Sequence, residues 1–168
     1  MKIAITGHRP NKLGNDYNLT SPLINDIKIR LQELIDWHKP THLISGMALG
    51  IDTLWAKMAI KNNIKLIAAI PCLNQDKMWV KPSKDLYKEI LSNPLTETIY
   101  ISDKEYTFNC MNERNIWMVD NCDFLISVWD GTSGGTKNCV DYAISKKKDI
   151  IRIDPKNMQE NNKYLVFE

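Results

Sequence analysis

The chain has 168 residues, of which 43% are hydrophobic and 25% are charged, and its formal net charge is +2. This length and composition predict a single globular domain over residues 1–168, with a full hydrophobic core. The small net charge gives no support for a nucleic-acid-binding surface, and the lack of any run of about 18 apolar residues excludes a membrane-spanning helix.

The chain starts with MKIAITGHRP, which has no signal-peptide core or cleavage pattern, so we expect a cytoplasmic protein. The four cysteines are not spaced as in a zinc site, and in a reducing compartment they should be free thiols. We therefore expect no metal and no resident cofactor. The cysteines are Cys72, Cys110, Cys122 and Cys139.

Strand and helix patterns alternate along the chain. Residues 2–6 are a short apolar run that predicts a first strand. Ser21 and Pro22 mark a helix start, because a hydroxyl caps the helix and proline suits its first position. Apolar residues then recur at helical spacing down to about Trp37, which we expect in the core together with Trp55. Further strands are predicted at 41–45, 65–70, 97–101, 124–129 and 149–153, further helices at 50–62, 84–93, 111–121 and 135–147, and a candidate edge strand at 163–167.

This alternation with short connections predicts an α/β fold, a Rossmann-like, doubly wound and mostly parallel sheet flanked by helices on both faces. Ligands on such sheets bind beyond the carboxyl ends of the strands. The residues that follow each predicted strand are therefore the candidate site.

The sequence TGHRP follows the first strand. Gly7 permits a tight turn beside a ligand, Thr6 offers a hydroxyl and His8 an imidazole. Arg9 offers a planar donor group for phosphate or carboxylate. We expect all four to bind ligand, although a surface turn with a paired arginine would give the same pattern.

The sequence SGMALGID follows the second strand. Small residues let the backbone approach a ligand, and the following helix N-terminus attracts negative charge. Asp52 either binds a polar group of the ligand or complements the helix dipole. The candidate binding residues here are Ser45, Gly46, Met47, Gly50 and Asp52.

Residues 111–143 hold a polar helix, an apolar strand and a glycine turn that opens a second helix. Arg114 and Asn115 are expected to reach the ligand, and Glu113, Asp130 and Asp52 are the candidate acids or bases for catalysis. Backbone N–H groups of such a turn suit a phosphate, although a glycine turn without a ligand remains the alternative. The candidate binding residues after the strand are Asp130, Gly134, Gly135, Thr136 and Asn138.

A further aromatic residue, Trp79, lies among lysines between two predicted elements and is a candidate to stack on a nucleobase.

Three ordered motifs together resemble the SLOG superfamily, and within it the YpsA-like branch. They are TGHRP, SGMALGID, and R-N-x-W-M-V-D followed by D-G-x-x-G-G-T-x-N, and the resemblance runs from Lys2 to about Ile153. It implies a Rossmann-like fold that binds nucleotides or nucleotide-derived ligands and often forms dimers. We therefore expect a homodimer or a higher homo-oligomer, without a membrane partner.

The superfamily includes the LOG-type phosphoribohydrolases, which cleave a base from a nucleoside monophosphate. Arg114 matches the arginine of their signature, and Gly134-Gly135-Thr136 matches their glycine-threonine turn. Their glutamate is absent, because Asn138 and Cys139 stand at its place. Neither residue supplies the carboxylate that such a hydrolase uses around the ribosyl cation.

The resulting hypothesis is a module that binds a nucleotide or nucleotide-derived ligand, such as a nucleoside phosphate or an ADP-ribose-like or NAD-derived signal, as a sensor or sequestering protein. One alternative is a nucleotide N-glycoside hydrolase, so whether the chain is an enzyme stays open. Another alternative, suggested by the DprA-like branch of the superfamily, is binding of single-stranded DNA, which needs a positive groove with stacking aromatics.

Overall fold

A computed structural model of the chain describes residues 1–158 and the backbone of residues 164–165. Its centre is a seven-stranded sheet in the order β4-β3-β2-β1-β5-β6-β7, in which the first six strands are parallel and β7 is antiparallel to β6. The strands are β1 Lys2–Gly7, β2 His42–Ser45, β3 Lys65–Ile70, β4 Thr96–Tyr100, β5 Phe124–Val128, β6 Asp149–Ile153 and β7 Tyr164–Leu165. The helices are α1 Pro22–His38, α2 Ile51–Lys61, α3 Lys81–Ser92, α4 Cys110–Asn121 and α5 Gly135–Ser145, with a 3₁₀ turn at Pro10–Lys12.

The strand order places a topological switch point at the centre of the sheet. From β1 the chain adds β2, β3 and β4 on one side, and it then returns so that β5 pairs with the other side of β1. The connections that leave β1 and β5 therefore diverge, and the gap between them is where a sheet of this kind binds its ligand.

The two faces of the sheet bury separate apolar clusters. One cluster packs α1, α2 and α3 against the sheet and contains Trp55, which is fully buried as predicted. The other packs α4 and α5 against the opposite face. Every residue of β5 is buried, as expected for a central strand covered on both sides. The predicted fold class, a doubly wound α/β sheet, is confirmed.

The prediction that Trp37 lies in the core was wrong, since its side chain is 82% exposed. The buried stripe of α1 includes Ile24, Leu31 and Ile35. At about 100° per residue, Trp37 lies roughly 110° away from the middle of that stripe, on the solvent side of the helix.

Two local features differ from the sequence prediction by more than two residues. Helix α3 begins at Lys81 rather than at residue 84, because Pro82 occupies its first turn, where proline is tolerated and its missing N–H costs nothing. The 3₁₀ turn at Pro10–Lys12 was not predicted. Of the candidate edge strand at 163–167, residues Tyr164–Leu165 form β7 and the others lie outside the described residues. No helix in the described part of the chain has both the length and the apolar character needed to cross a membrane.

Candidate functional site

A cavity of about 320 Å³ opens at the switch point between β1 and β5. Its walls come from the β1–α1 connection, from the start of α4 and from the glycine turn before α5. The lining residues are Thr6, Gly7, His8, Arg9, Asn11, Lys12, Ala48, Met111, Arg114, Asn115, Thr132, Ser133, Gly134, Gly135 and Thr136.

The glycine turn presents the N-terminus of α5 to this cavity. Gly134 is the N-cap residue, its φ is 144°, and no side chain in the described part of the chain caps the helix. The first N–H groups of a helix have no intrahelical acceptor, so those of Gly135 and Thr136 face the cavity unpaired by the helix itself. Apart from the adjoining backbone, no heavy atom of the described residues lies within 4 Å of a Cβ built at Gly134 or Gly135, so the turn is open on its outer side.

Three cationic side chains line the same cavity, namely Arg9, Lys12 and Arg114. Arg9 and Lys12 are exposed at the rim. The Lys12 ammonium donates to Thr132 Oγ1 at 2.7 Å, which holds it over the glycine turn. The free N–H groups of the helix N-terminus and the three positively charged side chains together make this an anion-binding cavity.

Arg114 is buried, and its guanidinium is already engaged by protein groups. It donates to the carbonyl oxygen of Gly46, and its Nε donates to Asn115 Oδ1 at 2.9 Å. The Asn115 amide in turn donates to the carbonyl oxygen of Gly135 at 3.3 Å. The Arg114–Asn115 pair thus joins the β2–α2 loop to the glycine turn.

The absence of a side chain at Gly46 creates the space for that guanidinium. A Cβ at this position would lie 2.1 Å from Arg114 Nη1 and 2.4 Å from its Cζ. Gly46 therefore leaves room for the Arg114 side chain, and it does not itself line the cavity.

The SGMALGID segment mostly forms a wall behind the cavity. Ser45 Oγ donates to the carbonyl oxygen of Asp52 at 2.7 Å, and the Ala48 N–H donates to Asp52 Oδ2 at 3.3 Å. Burial raises the pKa of Asp52, which lies 3.8 Å from Arg114 Nη1. Met47, Ser45 and Asp52 are buried, and Ala48 is the residue of the segment that lines the cavity.

Asp130 forms a polar cluster at the edge of the cavity. Its Oδ1 lies 2.8 Å from His8 Nε2, and its Oδ2 lies 2.7 Å from the Lys156 ammonium. The Lys156 ammonium and then the Thr132 hydroxyl hold the pKa of Asp130 far below its usual range. Asp130 is therefore ionised near neutral pH, where it contacts His8 and the glycine turn as a carboxylate.

The structure brings together many of the predicted binding residues and leaves others outside the cavity. Those that line it are Thr6, Gly7, His8, Arg9, Arg114, Asn115, Gly134, Gly135 and Thr136. Those that do not are Ser45, Gly46, Met47, Gly50, Asp52, Asp130 and Asn138. Glu113 is exposed and faces a separate shallow cavity beside Tyr100.

Sequence reasoning missed six lining residues. Thr132 and Ser133 lie inside the glycine turn, and Asn11 and Lys12 directly follow TGHRP. The motifs therefore indicated the segments that contain these four residues. Ala48 and Met111 gave no separate signal. The six are Asn11, Lys12, Ala48, Met111, Thr132 and Ser133.

All four cysteines are buried and free. Burial raises the pKa of Cys139 to about 12 and that of Cys122 to about 11. Neither thiol has the low pKa of a nucleophile, although Cys139 directly follows Asn138 in the helix at the cavity.

A family model described as DNA recombination-mediator protein A matches residues 26–164. The chain belongs to this family. The identification with the SLOG superfamily, made from the three motifs, is confirmed.

Relatives of this chain include the uncharacterized SPbeta prophage-derived protein YoqJ of Bacillus subtilis strain 168. It is 34% identical over 129 residues, which cover 67% of this chain and 75% of the relative. A UPF0398 protein of Bacillus thuringiensis strain Al Hakam is 25% identical over 162 residues, covering 88% of this chain and 84% of that protein.

Among solved structures, DNA processing protein A from Helicobacter pylori, which binds single-stranded DNA, matches with a TM-score of 0.68. The match covers 98% of this chain and 68% of that chain at 21% sequence identity. This likeness shows the shared fold.

Proposed function

We propose that the cavity at the switch point binds the phosphate of a nucleotide or nucleotide-derived ligand, and that the protein acts as a sensor or sequestering module. The observation that carries the proposal is the uncapped N-terminus of α5, which opens into a cavity ringed by Arg9 and Lys12. A phosphate there accepts hydrogen bonds from the Gly135 and Thr136 N–H groups, and the helix dipole adds a favourable field.

The other cavity residues hold this arrangement in shape. Arg114 is engaged by Gly46 and Asn115, so it fixes the turn and adds positive potential. Lys12 and Arg9 lie at the rim and attract the anion through long-range charge, which depends on salt.

The positions of the three candidate catalytic carboxylates support binding of the ligand without hydrolysis. Asp52 lies behind the cavity wall, and Asp130 is paired with Lys156 and His8. Glu113 faces another surface. A phosphoribohydrolase needs a carboxylate at the sugar, and none of these three lines the cavity.

The sharpest test uses Gly135→Asp, which places a carboxylate where the phosphate is proposed to bind. An acidic residue in the first turn of a helix favours folding, so this variant should keep its stability. We expect its affinity for ribose 5-phosphate and for AMP, measured by calorimetry, to fall at least about tenfold, or about 1.4 kcal/mol.

The matched control is Asn25→Asp, which adds the same charge to the first turn of α1, away from the cavity. We expect it to bind like the unmodified protein. Equal affinity of Gly135→Asp and Asn25→Asp for both probes, or no binding of either probe to the unmodified protein, would contradict the proposal.

Chromatography of AMP after incubation with the protein decides between binding and cleavage. We expect AMP to be recovered intact at high protein concentration. Release of free adenine would establish the hydrolase alternative in its place.

Single-stranded DNA is a second candidate ligand, because the chain belongs to the DNA recombination-mediator protein A family and a structural neighbour binds such DNA. A gel-shift titration with a thymidine 20-mer at two salt concentrations tests it, since binding through phosphates weakens steeply with salt. Competition by AMP would place the DNA in the same cavity.

A further inference from the structure

A second cavity, of about 490 Å³, adjoins the phosphate cavity. The two cavities share Arg9, Ala48 and Met111 as lining residues. A ligand can therefore extend from one into the other, passing the exposed Arg9 guanidinium at the junction.

The walls of the second cavity differ in character from those of the first. Its outer side carries the large side chains of Met78, Trp79 and Tyr106, in place of glycines and bare N–H groups. Met78 is 89% exposed and Tyr106 is 61% exposed, so both side chains are open to a ligand. Flat and polarisable side chains around an open cavity are suited to a planar aromatic group.

Two loops that are far apart in sequence build this wall and hold each other in place. The Leu73 N–H donates to the carbonyl oxygen of Lys104 at 3.0 Å, and the Tyr106 N–H donates to Asn74 Oδ1 at 2.8 Å. The Asn74 amide nitrogen makes no hydrogen bond to any described residue, so it remains available to the edge of a bound ring.

The position of Trp79 is fixed from behind. Its ring packs edge-on against Tyr87, with ring centroids 5.3 Å apart and an interplanar angle of 83°. The Tyr87 hydroxyl donates to Gln75 at 3.4 Å, and Gln75 donates to the carbonyl oxygen of Gly46 at 3.0 Å. Because Arg114 also donates to that carbonyl, the two cavities share a support.

We infer that the second cavity binds the nucleobase of a nucleotide whose phosphates lie in the phosphate cavity. This inference rests on the proposed function and narrows its ligand class to a pyrophosphate-linked nucleotide, such as ADP-ribose, with Arg9 beside the linking phosphates. Stacking against Trp79 and Tyr106 supplies the affinity for the base, and Asn74 reads its edge.

The test compares ADP-ribose with ribose 5-phosphate by calorimetry in a matched pair of variants. Tyr106→Ala removes an exposed aromatic side chain that lines the cavity, and Phe108→Ala removes one that is 92% exposed on the same loop and does not line it. Loss of one stacking partner should weaken ADP-ribose about tenfold in Tyr106→Ala and leave ribose 5-phosphate unchanged. Phe108→Ala should change neither affinity.

The outcomes separate the two proposals. If ADP-ribose binds no more tightly than ribose 5-phosphate, or if Tyr106→Ala weakens both probes equally or neither, the second cavity is not a base site and the phosphate site stands. If ADP-ribose binding depends on Tyr106 and is unaffected by Gly135→Asp, the base site stands and the phosphate proposal fails. Failure of both probes to bind overturns both.

Discussion

Replacement of Gly46 by alanine should destabilise the protein through a side chain 68 positions away, that of Arg114. The new Cβ would lie 2.1 Å from Arg114 Nη1 and 2.8 Å from its Nε, so the buried guanidinium has to leave its place. It then loses its hydrogen bonds to the Gly46 carbonyl and to Asn115 Oδ1.

The structure sets the size of the effect. A hydrogen bond to a charged group contributes about 1.5–3 kcal/mol, and removal of one partner from a buried ion pair costs about 3–5 kcal/mol. Asp52 stays buried when the guanidinium leaves. The change from glycine to alanine returns about 0.4–1 kcal/mol by restricting the unfolded chain. We expect a net loss of about 3 kcal/mol, or a fall in Tm of roughly 6–12 °C for a chain of this size.

Urea denaturation followed by tryptophan fluorescence measures this loss. Gly135→Ala is the matched control, because a Cβ there has no neighbour within 4 Å, and it should be as stable as the unmodified protein or slightly more so. In an Arg114→Met background the Gly46→Ala change should cost little, since the clash is gone. A Gly46→Ala protein within about 0.5 kcal/mol of the unmodified one would refute the assignment of Arg114 as its partner.

Three other outcomes follow from burial and charge. Asp130→Asn should lower the free energy of unfolding at neutral pH, because the pKa of Asp130 is lower in the folded chain than in the unfolded chain. This difference should shrink as the pH falls below 3.8, where the carboxyl of the unfolded chain becomes protonated. A difference in urea titrations that does not change with pH would contradict this. Ellman's reagent should modify no cysteine in the native protein within minutes and four after denaturation, and fast native labelling of Cys139 would show an open, reactive thiol. Trp37→Gln should change the unfolding free energy by less than about 0.5 kcal/mol and Trp55→Ala should cost about 3–5 kcal/mol, so similar losses in thermal melts would speak against the exposure of Trp37.

The sheet and its helices could be predicted because local patterns and tertiary packing agree along most of the chain. The β5 run, residues 124–128, is apolar throughout, and it is buried on both faces. Ser21 accepts a hydrogen bond from the Ile24 N–H, as its place before Pro22 indicates. Trp37 shows where residue type misled the prediction, since its large apolar side chain suggested core while its helical position pointed to solvent.

The site could be located from sequence at the level of loops and only partly at the level of side chains. Carboxyl ends of parallel strands meet at one edge, so TGHRP and the glycine turn had to converge. Which residues of SGMALGID face the ligand depends on the path of the backbone, and in the folded chain Ala48 lines the cavity while Ser45, Met47 and Asp52 are buried. The engagement of Arg114 depends on the slot at Gly46, which is a property of the folded chain and not of either motif.

The second cavity had no sequence signature beyond the isolated Trp79. Its wall combines residues 74–79 with residues 105–106, which are separated by helix α3 and strand β4. Neither segment has a motif, and their proximity arises from the pairing of β3 with β4.

The two hydrogen bonds between those segments have a consequence for protein engineering. The Leu73 N–H on one loop donates to the Lys104 carbonyl oxygen on the other, and the Asn74 side chain accepts a hydrogen bond from the Tyr106 N–H. A transplanted β3–α3 loop that lacks an asparagine at position 74 would leave the Tyr106 N–H without its acceptor, and the wall would lose one of its two links. To change the ligand specificity of this fold, the β3–α3 and β4–α4 loops should therefore be grafted together.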